Sequence, residues 1–305
     1  MEPFLALVGP TASGKTEAAL EVAAALGAEI LSVDSMLVYR GMDVGTAKPT
    51  PEQQARIPHH LLDLVEPSEP FSVAAFQAAA RDSANDVRRR GARPLLVGGS
   101  GLYLRAVVDG LEFPGTEPET RRTLEGEAAA LGPDRMYRRL AEMDPVAASK
   151  IDPANVRRTV RALEVAAITG NPFSSYAAAW ESYPPDRVRV AGIGLAPEQL
   201  SHRVEVRVQE MLAAGWLDEV EKLVVGGFGG WLTSSQAIGY AELARHLEHE
   251  LSLEDAVQQT VKRTRNLARR QMAWFRRDPR IRWFDAGTEG ASGVVADVVA
   301  YLEGA

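Results

Sequence analysis

The chain contains no cysteine among its 305 residues. That excludes a disulfide scaffold, a thiol nucleophile and any Cys-based zinc site, and it fits a reducing, cytoplasmic setting. It also lacks an apolar run long enough to span a bilayer as a helix, so no membrane partner is expected. Its first residues, Met1-Glu2-Pro3-Phe4, lack the basic and apolar regions of a secretory leader. Positive charge is not in excess either. Lys and Arg number 34 against 41 Asp and Glu, a net of −7, which argues against indiscriminate coating of nucleic acid. No internal repeat or low-complexity linker is found, and 46% hydrophobic with 25% charged residues is ordinary globular composition. The length suits one large domain or two modest ones.

The basic residues that are present are clustered. Between Lys262 and Arg282 nine of them face a single acid, Asp278. Smaller groups stand at Arg88-Arg89-Arg90 and at Arg157, Arg158 and Arg161. An acidic body with local basic surfaces suits a protein that engages one particular anion. The bland alternative is a set of solvated helix faces.

Periodicity divides the chain. FLALV (Phe4–Val8), EILSV (Glu29–Val33) and RPLLV (Arg93–Val97) are short continuous apolar runs, the pattern of strands buried on both faces. Helical periods over about 15–26 and 72–90 separate them, which implies a parallel sheet covered by helices. From 117 to 186 helical periods take over, punctuated by Pro and Gly, before RVRVAGIGL (Arg187–Leu195) restores strand character. A late strand is expected over Ile281–Asp285. The expected architecture is therefore an α/β core built from 1–116 and 187–305, carrying a small all-helical insertion over 117–186.

Directly after the first strand, Gly9-Pro10-Thr11-Ala12-Ser13-Gly14-Lys15-Thr16 matches G-x-x-x-x-G-K-[ST]. Such a loop turns successive N–H groups onto phosphate oxygens at a helix N-terminus, with Lys15 as a point charge and Thr16 placed to hold Mg²⁺. A strand ending in the Asp usual for nucleotide hydrolysis is missing. The best later strand ends in Gly98-Gly99-Ser100-Gly101, and no Asn-Lys-x-Asp motif occurs. The loop therefore suits a diphosphate that is not consumed as fuel. Asp34, at the carboxyl end of the second strand, faces the ligand crevice expected of such sheets and is a candidate general base. Small-molecule kinases also place an acceptor-binding Asp there, so a kinase remains open at this point, as does a non-enzymatic nucleotide-gated RNA-binding module. His59 and His60 lack partners at metal-ligand spacing and read as structural.

Taken in order, GPTASGKT (9–16), DSMLVYRGMDVGTAKP (34–49), PHHLLD (58–63), GGSGLY (98–103), RALEV (161–165), QAIGY (236–240) and RRQMAW (269–274) cover nearly the whole chain. Together they resemble the tRNA dimethylallyltransferase family, the isopentenyl transferases of tRNA. The chain departs from that pattern at Leu37, where Gln is frequent, and at Ser100, where Thr is usual. The resemblance implies a P-loop NTPase-like core and transfer of a dimethylallyl group from dimethylallyl diphosphate to the N6 amine of adenine 37, flipped out of the anticodon loop. It implies that the loop at 9–16 grips the donor's diphosphate with Mg²⁺, with Asp34 as base and Thr11 near the bridging oxygen. Arg203 and Arg207, four apart on one helix face, would be diphosphate clamps, Arg203 foremost. Contacts to tRNA would come from Asp34, Ser35, Met36, Leu37 and Ser100, from Arg121, Arg157, Arg158 and Arg161 on the insertion, and from Gln236, Gly239 and Tyr240. The basic helix would add Arg265, Arg269, Arg270, Trp274 and Arg276. No coiled coil or long exposed apolar stripe is evident, so a monomer is expected.

Overall fold

The structure is a computed structural model that describes residues 2–287 and 290–304. The chain divides into two compact units, one formed by Met1–Val108 with Pro184–Ala305 and the other by Asp109–Tyr183.

The first unit is built on a six-stranded parallel sheet. Its strands are β1 (Phe4–Val8), β2 (Ala28–Ser32), β3 (His59–His60), β4 (Arg93–Gly98), β5 (Val188–Gly194) and β6 (Ile281–Asp285), in the order β3-β2-β4-β1-β5-β6. Alternation along β1 explains its burial. Leu5 and Leu7 pack with Ala19 and Val22 of helix Lys15–Leu26 on one face, and Ala6 and Val8 pack with Phe76 and Ala80 of helix Val73–Arg89 on the other. Both side-chain sets thus leave water, which is why the run is apolar at every position. Periodicity does not reveal the short edge strand β3; its two residues are too few to carry a pattern. His60 there meets Glu29 at 2.6 Å and His59 meets the Ile57 carbonyl at 2.7 Å, a structural use of both rings.

Topology positions the site. β4 lies between β1 and β2, with Val8 opposite Gly98 and Ser32 opposite Val97. The segments leaving the carboxyl ends of these three strands, at Gly9, Gly99 and Val33-Asp34, therefore emerge side by side, where open α/β sheets bind ligands.

The second unit is helical, and none of its described residues lies in a strand. Helices Pro118–Leu131, Pro133–Met143 and Val156–Thr169 enclose Leu124, Met136, Leu140 and Leu163. It begins earlier than periodicity suggests. The stretch 109–116 has no regular structure, but the Arg161 guanidinium binds the Pro114 and Gly115 carbonyls and ties it to this unit. Among the described residues no helix is long and apolar enough to cross a membrane.

Candidate functional site

Gly14, at φ +88°, caps helix Lys15–Leu26 in a left-handed conformation open to glycine. The turn it permits brings the Lys15 ammonium back over the loop, where Nζ donates to the Pro10 carbonyl at 2.7 Å. Burial, reinforced by the nearby Arg207 charge and opposed by Asp34 and Glu17, pulls the Lys15 pKa down to about 8. Arg207 comes from helix Pro197–Ala213, and its Nη1 donates to Thr11 Oγ1 at 3.3 Å. Burial also lowers its pKa, against the pull of Asp34. Arg203, one turn earlier, lies beside Gly14, its Nη1 3.4 Å from where a Cβ on that residue would stand. Both arginines, with Lys15 and Thr16, line a cavity of about 1000 Å³. Two guanidinium groups, an ammonium and a helix N-terminus converge there, an arrangement complementary to a diphosphate.

Asp34 stands two residues beyond the end of β2. Its Oδ1 accepts from the Met36 amide at 2.9 Å, which orients the carboxylate. The loop beyond it is held by groups the sequence did not single out. Lys48, with a side chain only 5% exposed, donates to the Tyr39 carbonyl at 2.8 Å and to Asp63 Oδ1 at 2.6 Å. Glu219 accepts from the amides of Asp43 at 2.9 Å and Val44 at 2.8 Å, and from the Tyr240 hydroxyl at 2.6 Å. Lys48 sits inside the 34–49 stretch, where a lone lysine in a loop is a readable signal. Glu219 lies on an ordinary amphipathic helix and carries none.

The expected tRNA contacts divide by environment. Arg157, Arg158, Gln236, Arg269, Arg270 and Arg276 are exposed, and Ser35, Met36 and Leu37 are half-buried beside Asp34. Trp274 is 36% exposed. Tyr240 is different. It is wholly buried with its hydroxyl committed to Glu219, and burial and that carboxylate push its pKa far up. Gly239 is buried too, and a Cβ there would collide with the Trp216 ring. The QAIGY motif thus packs the core and offers its exposed Gln236 alone. Arg121 and Arg161 both bind the buried carboxylate of Glu164, at 2.6 and 2.7 Å, so they brace the helical unit. Ser100 Oγ accepts from the Tyr103 amide and caps the helix Gly101–Val108. Arg265 pairs with Glu205 on helix Pro197–Ala213, linking two helices. The long basic helix runs over Leu253–Phe275, so Arg276 caps its end and does not continue its face.

The IPP transferase family model matches residues 37–278 and the isopentenyl transferase model residues 3–63. A tRNA dimethylallyltransferase of Nocardioides sp. is 46% identical over 303 residues, covering 99% of this chain and 97% of that protein. Another, from Streptomyces coelicolor, is 46% identical over 93% of this chain and 90% of its own length. The full-length tRNA isopentenylpyrophosphate transferase of Bacillus halodurans superposes with a TM-score of 0.72 at 36% identity, covering 100% of this chain and 96% of that one. A eukaryotic dimethylallyltransferase acting on tRNA gives 0.76 at 26% identity over 95% and 75% of the two chains. With matches that run through the loop at 9–16, Asp34 and the long helix alike, the chain belongs to the IPP transferase family.

Proposed function

We propose that the protein transfers a dimethylallyl group from dimethylallyl diphosphate to the N6 amine of adenine 37 in tRNA, giving N6-isopentenyladenosine. The observation that carries this reading is the placement of Asp34 within electrostatic reach of both Lys15 and Arg207. A proton acceptor thereby stands beside a cradle for a leaving diphosphate. Curated relatives that align along nearly the whole chain bear the name tRNA dimethylallyltransferase.

The chemistry follows from the charges. The bond from the donor's C1 to the bridging oxygen breaks, N6 takes C1, and the amine proton passes to Asp34. Negative charge growing on the diphosphate is met by Lys15, Arg207, Arg203 and the loop amides, which need no reorganisation. Mg²⁺ fits here. It keeps much of its water and takes few protein oxygens beside substrate phosphates, and the Thr16 hydroxyl borders the cavity. When bound it would add positive charge to the diphosphate. The target adenine reaches this crevice only by leaving the anticodon stack, at a cost of a few kcal/mol. Exposed Arg157 and Arg158 on the helical unit and Arg269, Arg270 and Trp274 on the long helix are the groups we assign to the anticodon stem-loop. One chain supplies every group in this scheme, and we propose that it works as a monomer in the cytoplasm.

Incubation of unmodified tRNA with labelled dimethylallyl diphosphate will move label into the RNA. Labelled ATP will not; phosphate label on RNA or on a small molecule would instead make the chain a kinase. For RNA binding, Arg158→Ala is expected to flatten the dependence of log Kd on log salt by about 0.7 for each single-strand phosphate that the arginine neutralises. An unchanged slope removes Arg158 from the RNA surface.

A further inference from the structure

In a phosphate loop the main-chain amides are the natural donors to the anion. The first two residues after Gly9 do not serve that way here. Pro10 has no N–H, and the Thr11 N–H donates to Gln271 Oε1 at 2.8 Å. Gln271 reaches the loop from the long helix Leu253–Phe275. Because a backbone N–H only donates, the atom it meets is the amide oxygen, and this fixes the orientation of the Gln271 side chain. The NH₂ end is thereby turned toward the segment that leaves β4. A Cβ on Gly99 would collide with Gln271 Nε2, and three residues further along the helix a Cβ on Gly101 would collide with Trp274 Cδ1. Gly99 and Gly101 are thus the footprint of one face of the helix. The same Cβ on Gly99 would lie 3.4 Å from the Gly9 carbonyl, so Gln271 sits where the segments leaving β1 and β4 meet.

Thr11 is held at two points. Its amide is bound by Gln271, and its hydroxyl oxygen accepts from Arg207 Nη1 at 3.3 Å. A hydroxyl has one proton to give. With Arg207 on its acceptor side, that proton is left for an acceptor other than Arg207. We propose that Gln271 is a positioning residue for the transfer reaction: by binding the Thr11 amide, it sets the Thr11 hydroxyl to donate to the oxygen of the departing diphosphate. The inference rests on the prenyl-transfer reading above. In this role Gln271 acts through Thr11. It also ties the helix that carries Arg269, Arg270 and Trp274 to the donor loop, so one element serves both halves of the site.

The test is a double-mutant cycle between Gln271→Ala and Gly99→Ala, read as kcat, KM for tRNA and melting temperature. Gly99→Ala pushes the amide off Thr11 by steric contact, and Gln271→Ala deletes the amide. Each is expected to lower kcat by about 100-fold, the effect of roughly 1 Å of misplacement. KM for tRNA and the melting temperature stay near wild type. The double variant should lose no more than either single one, because both changes remove the same hydrogen bond. Two results would overturn the proposal. One is wild-type kcat in Gln271→Ala. The other is recovery of Gly99→Ala activity when Gln271 is shortened, which would make the effect purely steric. If Gln271→Ala does not fold, Gln271→Met, of similar length without a carbonyl, takes its place under the same criteria. The wild-type protein run in parallel separates the two claims. No prenyl transfer by wild type defeats the functional reading, whereas normal transfer by wild type and Gln271→Ala alike defeats only the role of Gln271.

Discussion

Asp34→Asn will abolish most prenyl transfer while leaving tRNA binding nearly intact. Asparagine keeps an oxygen for the Met36 amide, so the turn that holds Asp34 at 2.9 Å survives, but it cannot take the proton that the adenine amine must release. Loss of a positioned general base typically lowers rates by about 10²- to 10⁴-fold, or about 3 to 5 kcal/mol of barrier. Single-turnover transfer of labelled prenyl to tRNA measures the rate, and filter binding of the same tRNA measures affinity. Transfer within a few-fold of wild type would remove Asp34 from the chemistry. A parallel collapse in tRNA affinity would mean that Asp34 shapes the RNA surface instead.

Lys15→Met carries the second large effect. Methionine preserves much of the aliphatic stem but withdraws the charge that meets the departing diphosphate, and removal of such a preorganised donor costs about 3 kcal/mol of barrier. The pH dependence gives an independent signature. In the free protein the ammonium has a pKa of about 8, lowered first by burial and then by Arg207. A bound diphosphate favours the charged form and raises that value. Binding above pH 8 therefore takes up a proton, and affinity for the donor falls as pH rises from about 8 toward the pKa of the complex. Below pH 8 the ammonium is already charged, and this group contributes no pH dependence. Calorimetric titration of wild type with the donor at pH 7 and pH 9 should show weaker binding at the higher pH, and Lys15→Met should lose that difference. An equal difference in the variant would assign the proton to another group.

Several parts of the molecule are readable because they are local. Five of the six strands lie close to where strand character is expected, and β1, β2 and β4 are the most legible, since a strand buried on both faces must be largely apolar. The loop at 9–16 is legible because its glycines, lysine and hydroxyl act within one turn of a strand–helix junction. Asp34 is legible because its place follows from parallel topology alone. The motifs around Tyr240 and Glu164 show the limit. Tyr240 stands in a short motif that resembles an RNA-contacting one, yet its hydroxyl belongs to Glu219, 21 positions earlier. Arg161 belongs to a basic cluster that suggests a phosphate surface and Arg121 is expected beside it as a tRNA contact, but both are bound by Glu164. A charge reads the same in a sequence whether it faces water or a buried carboxylate, and burial is a property of the packed chain.

From its residues alone the chain specified an α/β sheet, a phosphate-gripping loop, a carboxylate at the next strand end, a helical insertion and a basic helix. These depend on periodicity and on spacing of a few residues, which act before distant segments meet. Only the folded chain decided which cations stay available to a ligand, that Lys48 and Glu219 hold the loop beyond Asp34, and that Gln271 reaches Thr11 across 260 positions. Such pairings come from segments far apart along the chain, and they exist only once the sheet has brought its carboxyl ends together.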